Sequence, residues 1–224
     1  MDFFRITRDD PYCPRPGMPP MGESYTGLLR SADLMNFASE GLLTPPGTDD
    51  RDGVLFPEKI GGRYVMLHRP TSWVGPDYGT DRPAIWLAYS DDLKQWDYGR
   101  KGQHVLLRPQ EPWEESKIGA GPPPVKTEAG WLMLYHGVDR KYVYRVGAAL
   151  LDLDDVSKVI ARTEDFLMEP QEEWEKVGVI PNVVFPTAAV WEPGRELLVY
   201  YGAADRVCGL ATADMRELLD YVLS

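Results

Sequence analysis

Residues 117–139 read KIGAGPPPVKTEAGWLMLYHGVD, and this stretch decides the fold class. A lysine opens it on a Gly/Pro turn. Gly119 and Gly121 permit backbone conformations that other residues avoid. Pro122, Pro123 and Pro124 stiffen the chain and cannot sit in a central strand. The apolar run from Trp131 to Tyr135 then predicts a short strand, with His136 and Asp139 at its end. The expectation is a rigid loop carrying Lys117 and a strand end presenting His136 to a ligand.

The same unit recurs along the chain. One copy runs from Val54-Leu55-Phe56-Pro57 through Gly61-Gly62 into Tyr64 to Arg69, then Ala84 to Leu93. The quoted stretch leads the next, which continues through Val146 to Asp152. Another begins at Val184-Phe185-Pro186, passes Gly194 into Leu197 to Tyr201, and ends with Cys208 to Asp214. Ser31-Ala32-Asp33-Leu34 matches the tail of a still earlier copy. The period is roughly sixty residues, and each copy consists of several short strands separated by turns. Repeated antiparallel sheets of this kind predict an all-β fold, a β-propeller, in a single domain over residues 1–224. Residues 1–25, rich in Pro and Gly, are expected to be irregular, and 26–224 to form the blades. The one helix signal is at the end, where Asp214 caps Met215 to Leu223.

The totals narrow the function. A formal net charge of -11 argues against general nucleic-acid binding. No signal peptide or membrane-spanning run is visible, so no membrane partner and a cytoplasmic location are expected. Cys13 and Cys208 form neither a disulfide framework nor metal-ligand spacing, and the histidines His68, His104 and His136 with scattered acids predict no metal site. There is no Walker loop, GxGxxG or nucleophile elbow.

Superposing the copies places Arg69, His136 and Tyr201 at one point. Arg51 and Lys117 correspond as well, each six residues before an aligned proline, Pro57 or Pro123. Equivalent positions in propeller blades point to one end of the axis. Arg51, Arg69, Lys117 and His136 should therefore converge, with Asp205 arriving from the last copy. Four basic groups at equivalent positions in an acidic chain call for an anion, and Arg and Lys are the residues that hold phosphate. Taken singly, each could instead pair with a nearby acid such as Asp49, Asp50, Asp52 or Glu58.

Several long motifs in order, VLFPEKI at 54–60, MLHRP at 66–70, IWLAYS at 85–90, KIGAGPPP at 117–124, YHGVD at 135–139 and YYGAAD at 200–205, closely resemble glycoside hydrolase family 130, the family of β-mannoside phosphorylases and some β-mannosidases. The resemblance covers about residues 26–222. It implies a five-bladed β-propeller, here incomplete at about three and a half blades and lacking N-terminal ones, and inverting phosphorolysis of a β-mannoside or mannooligosaccharide to α-mannose 1-phosphate. It implies inorganic phosphate as co-substrate with no further cofactor, phosphate held by Arg51, Arg69, Lys117 and His136 with Tyr144 assisting, and Asp205 on the mannose hydroxyls. The family's general acid is an aspartate followed by Pro-Arg and a Val/Ile-Thr pair. Arg5-Ile6-Thr7 matches that tail, and Asp2 is the nearest acid, one residue out of register. The alternatives are a β-mannosidase of the same family and an inactive sugar- or phosphate-binding module. Exposed sheet edges in an open propeller are expected to promote self-association.

Overall fold

The computed structural model describes residues 24–45, 47–99 and 103–224. Asp2, Cys13 and nearly all of the Pro-rich segment lie outside the described residues. The chain is built from antiparallel sheets taken in order. A hairpin of β1 (Gly27–Arg30) and β2 (Ala38–Leu42) comes first. Then β3 (Asp50–Leu55), β4 (Tyr64–Pro70), β5 (Ile85–Ser90) and β6 (Trp96–Asp97) pair in sequence, with β7 (Val105–Leu107) also on β5. The next sheet runs β8 (Lys117–Ala120), β10 (Trp131–Val138), β11 (Tyr144–Leu151), β12 (Val159–Arg162), with β9 (Val125–Lys126) also on β10. The last described sheet is β13 (Val184–Val190), β14 (Leu197–Ala203) and β15 (Val207–Ala213).

Strand β10 is longer than its apolar run suggests. Gly137 and Val138 stay paired, with Ile118 and Lys117 of β8 on one side and Arg145 and Tyr144 of β11 on the other. His136 therefore lies inside a strand rather than at its end, and Lys117 opens β8 rather than sitting on a loop. All eight residues of β10 are buried, because both faces of its sheet are covered. Trp131, Met133 and Tyr135 pack with Val54, Phe56, Leu67 and Leu87 of the preceding sheet. Leu132 and Leu134 pack with Val184, Leu197 and Val199 of the following one. A strand buried on both faces loses the polar alternation of a surface strand, which is why its sequence reads as a continuous apolar block.

Helix α2 (Met215–Leu223) follows its sequence signal: Asp214 accepts hydrogen bonds from the backbone N–H groups of Arg216 and Glu217, and Leu218 and Val222 are buried. Pro186 lies within β13, beside a bulge between Pro186 and Ala188, on the outer strand of its sheet.

The sequence contains a second repeat that periodicity does not reveal. Pro109-Gln110-Glu111-Pro112-Trp113-Glu114 recurs as Pro170-Gln171-Glu172-Glu173-Trp174-Glu175. The first copy forms a 3-10 turn, Pro112–Glu114, and the second a one-turn helix α1 (Glu173–Lys176). Each ends in a buried glutamate that accepts from two backbone N–H groups upstream and from a tyrosine of the sheet. Glu114 takes Tyr135 Oη at 2.8 Å and Glu175 takes Tyr201 Oη at 2.7 Å. Glu114 is also paired with Arg162 of β12 at 2.5 Å.

Candidate active site

Three successive sheets contribute to one buried cluster. Its centre is a bulge in β3. Arg51 stands opposite Arg69, and two residues of β3 then pass one of β4 before Val54 meets Leu67. The extra residue is absorbed at Asp52, whose φ is 55°. Bulges re-aim side chains, and aspartate tolerates this left-handed conformation better than most residues. The Asp52 carboxylate consequently accepts a hydrogen bond from Arg69 Nε at 2.6 Å, and its Oδ2 lies 3.7 Å from His136 Nε2.

Gly119 makes this possible. It sits on β8 directly across from His136. A Cβ there would fall 2.5 Å from His136 Cε1 and 2.8 Å from Arg69 Nε, and would overlap Asp52 Oδ2.

Arg69 and Asp52 are almost wholly buried, with side chains 5% and 6% exposed. Arg69 commits only Nε. Among the described residues the two terminal nitrogens of its guanidinium make no hydrogen bond. His136 is completely buried, and neither ring nitrogen has a hydrogen-bond partner among the described residues. Its ring is stacked with Tyr144 at 5.7 Å and tilted against Phe185 at 4.5 Å.

Burial pushes His136 down to about 3; Asp52 opposes this, and Arg69 and Lys117 reinforce it. The imidazole is thus neutral near pH 7, and the four expected cations are three plus a neutral ring. Burial alone would raise Asp52, but neighbouring charge, Arg69 first, holds it below the usual carboxylate range. With His136 neutral, that charge belongs to Arg69 and Lys117. An acid held ionised in this way is the wrong group to protonate a leaving oxygen.

Lys117 Nζ sits 5.2 Å from the centre of the Tyr144 ring. Burial raises the Tyr144 hydroxyl; among its neighbours Arg69 and Arg51 lower it, while Asp52 and Asp205 raise it further. Asp205, exposed on the last sheet, is thus near enough for its charge to be felt at Tyr144. It occupies the turn from Ala203 to Arg206, closed by the Arg206 N–H to the Ala203 carbonyl at 3.0 Å. Ala204 and Asp205 both have positive φ, 47° and 52°, the signature of a type I′ turn.

Counter-acids are present too. Arg51 Nη2 pairs with Asp49 Oδ2 at 3.2 Å, and Arg69 with Asp52. Asp50 instead lies 2.8 Å from His68, and Glu58 2.5 Å from Lys126, away from the cluster. Arg51, Arg69 and Lys117 thus stand against Asp49, Asp52 and Asp205, and their formal charges balance. Tyr201, aligned in sequence with Arg69 and His136, turns to Glu175 and does not join them. Asp139 pairs with Arg145 at 2.9 Å. The register also corrects the sequence superposition: Arg51 pairs with Arg69, but the residue across from His136 is Gly119, two beyond Lys117. The one-residue bulge in β3 accounts for one residue of that two-residue offset. Among the described residues no group of three or more His, Cys, Asp or Glu is placed to hold a metal ion, and no helix is long and apolar enough to cross a membrane.

Known proteins resemble this chain in sequence and fold. A family model for glycoside hydrolase family 130, described as beta-1,4-mannooligosaccharide phosphorylase, matches residues 46–224. A 1,2-beta-oligomannan phosphorylase of Thermoanaerobacter sp. is 43% identical over 192 residues, covering 85% of this chain and 59% of that protein. A beta-1,4-mannooligosaccharide phosphorylase of Ruminococcus albus is 40% identical over 181 residues, covering 78% and 51%. The solved beta-1,2-mannobiose phosphorylase of Listeria innocua, in complex with beta-1,2-mannobiose, superposes with a TM-score of 0.78 at 36% identity, over 89% of this chain and 53% of that one. The chain spans between half and three-fifths of the length of the curated relatives it matches.

Proposed function

Because this chain belongs to glycoside hydrolase family 130, we propose that the protein cleaves β-mannosides with inorganic phosphate, with inversion, giving α-mannose 1-phosphate and a shortened acceptor. The relatives at 39–43% identity that carry mannoside-phosphorylase names support this. The observation that carries it within the site is Arg69, pinned through Nε with both terminal nitrogens uncommitted. An inverting hydrolase needs a carboxylate base to activate water. Phosphorolysis has an anionic nucleophile already, and what it needs is positioning against the anomeric carbon. The Arg69 fork is shaped for bidentate phosphate contact. Arg51 and Lys117 add charge, His136 offers a neutral ring N–H, and Tyr144 borders the same space. Asp205 accepts from mannose hydroxyls. Asp2 remains the acid nearest the family's position.

In this reading the successive sheets are blades of a five-bladed propeller with the cluster at its axis. The protein works in the cytoplasm, and the outer strands favour self-association. The deciding experiment offers β-1,2- and β-1,4-mannobiose with and without phosphate. Phosphate-dependent mannose 1-phosphate supports the proposal. Phosphate-independent release of mannose assigns a mannosidase, and phosphate binding without turnover assigns a binding module. Loss of a general acid costs about 10²–10⁴-fold in rate, so Asp2→Asn measures what Asp2 contributes.

A further inference from the structure

We propose that Asp52 is a positioning residue for the anion site: it fixes the Arg69 guanidinium through Nε so that the terminal fork faces the phosphate. The inference rests on the phosphate-binding reading above and adds a residue to it.

Independent features converge on Asp52. Its backbone is held at φ 55° in a bulge, and non-glycine residues persist in such conformations only where the surroundings impose them. Its carboxylate is buried, which is costly unless the charge is paired and hydrogen-bonded, and the hydrogen bond it makes is to Arg69 Nε. The strand opposite His136 carries a glycine where a side chain would displace the carboxylate. Bulge, burial and glycine all serve to place one oxygen on one nitrogen.

That choice of nitrogen matters. A guanidinium has five N–H donors in a rigid plane. Anchoring Nε leaves the four donors of the terminal nitrogens and fixes the plane they lie in. Anchoring a terminal nitrogen would have consumed part of the bidentate edge. A negative charge beside a phosphate site repels the phosphate, so Asp52 improves binding only if orientation outweighs repulsion. The two contributions have opposite signs, and a substitution separates them.

The test uses the full chain and inorganic phosphate, with the dissociation constant measured by calorimetry. Asp52→Asn keeps volume, suits the left-handed backbone and retains a neutral acceptor for Nε. Asp52→Gly suits the backbone and removes the acceptor. Positioning predicts that phosphate binds several-fold more weakly to the Asn variant and at least about tenfold more weakly to the Gly variant, the loss expected for one charge-assisted hydrogen bond. The partial rescue by Asn is a response that a general loss of packing does not produce. Equal or tighter binding by the Asn variant would identify Asp52 as a mere counter-charge and overturn the inference. That outcome can be read even if the Gly variant fails to fold. If the parent chain binds no phosphate, the anion reading itself falls and this inference with it. Binding by the parent with no weakening in Asp52→Asn removes the inference alone.

Discussion

Gly119 and Asp52 contend for one volume: the side chain that Gly119 lacks would occupy the position of Asp52 Oδ2. Gly119→Ala therefore displaces the carboxylate without altering it chemically. Overpacking of this kind costs about 1–3 kcal/mol, so the melting temperature should drop. The stabilisation by phosphate should drop with it. An alanine variant that melts and responds to phosphate like the parent would show that the cluster has slack it does not display.

Phosphate should stabilise the parent by mass action, by about 2.7 kcal/mol at a hundredfold excess over its dissociation constant. Arg69→Ala should abolish that response and also cost about 3–5 kcal/mol, since it leaves Asp52 buried without its partner. Arg69→Lys keeps the charge but loses the fork. It should retain more stability than Arg69→Ala while losing most of the phosphate response. Calorimetric melts with and without phosphate distinguish these outcomes, and an undiminished response in Arg69→Ala would reject the site.

The pH dependence has a definite sign. His136 is held down to about 3 in the fold against about 6.5 unfolded. Below pH 6.5 the unfolded chain takes up a proton that the folded chain refuses, so stability falls as pH falls. The contribution is complete above about 6.5 and is lost progressively towards 3. Asp52, also held low, adds a loss at more acid pH as it too becomes protonated. Denaturant midpoints measured from pH 7.5 to 4 should decline in the parent and decline less steeply in His136→Gln.

The two glutamate boxes should differ in strength. Glu114 binds Tyr135 and Arg162, whereas among the described residues Glu175 has Tyr201 and no arginine. Glu114→Gln leaves a buried guanidinium without its charge partner and should cost about 3–5 kcal/mol. Glu175→Gln should cost nearer to the 1–3 kcal/mol of an impaired buried hydrogen bond. Equal costs would mean that Arg162 contributes little.

Much of this was legible in the sequence, and the reasons for the rest are specific. Copies led by Val54, Gly121 and Val184 announced antiparallel sheets, because alternating turn residues and apolar runs have few other solutions. Arg51, Arg69, Lys117, His136 and Asp205 could be brought together because repeats place equivalent positions at one end. Asp52 appeared only as one of several possible counter-acids, since nothing in a linear sequence shows that β3 gains a residue over β4 there. The neutrality of His136 was hidden for a related reason: it depends on complete burial, which is a property of neighbouring sheets. The Pro-Gln-Glu-x-Trp-Glu repeat escaped notice because a single helical turn has no period to detect.

The strands that meet at the cluster are not equally secure. β10 is hydrogen-bonded along both edges and has every residue buried, so its amides should exchange with deuterium only on global opening. β15 lies at the outside of its sheet, pairs with β14 alone among the described residues and is largely exposed. Its amides should exchange first. His136 thus belongs to the slow-exchanging frame, and Arg69 and Asp52 sit on the largely buried strands β4 and β3, whereas Asp205 hangs from the turn between β14 and the fast-exchanging strand. A ligand gripping both would act as a clasp. On the proposed reading, the anion half of the site would be preformed, and the sugar half would be the part that yields and is drawn in.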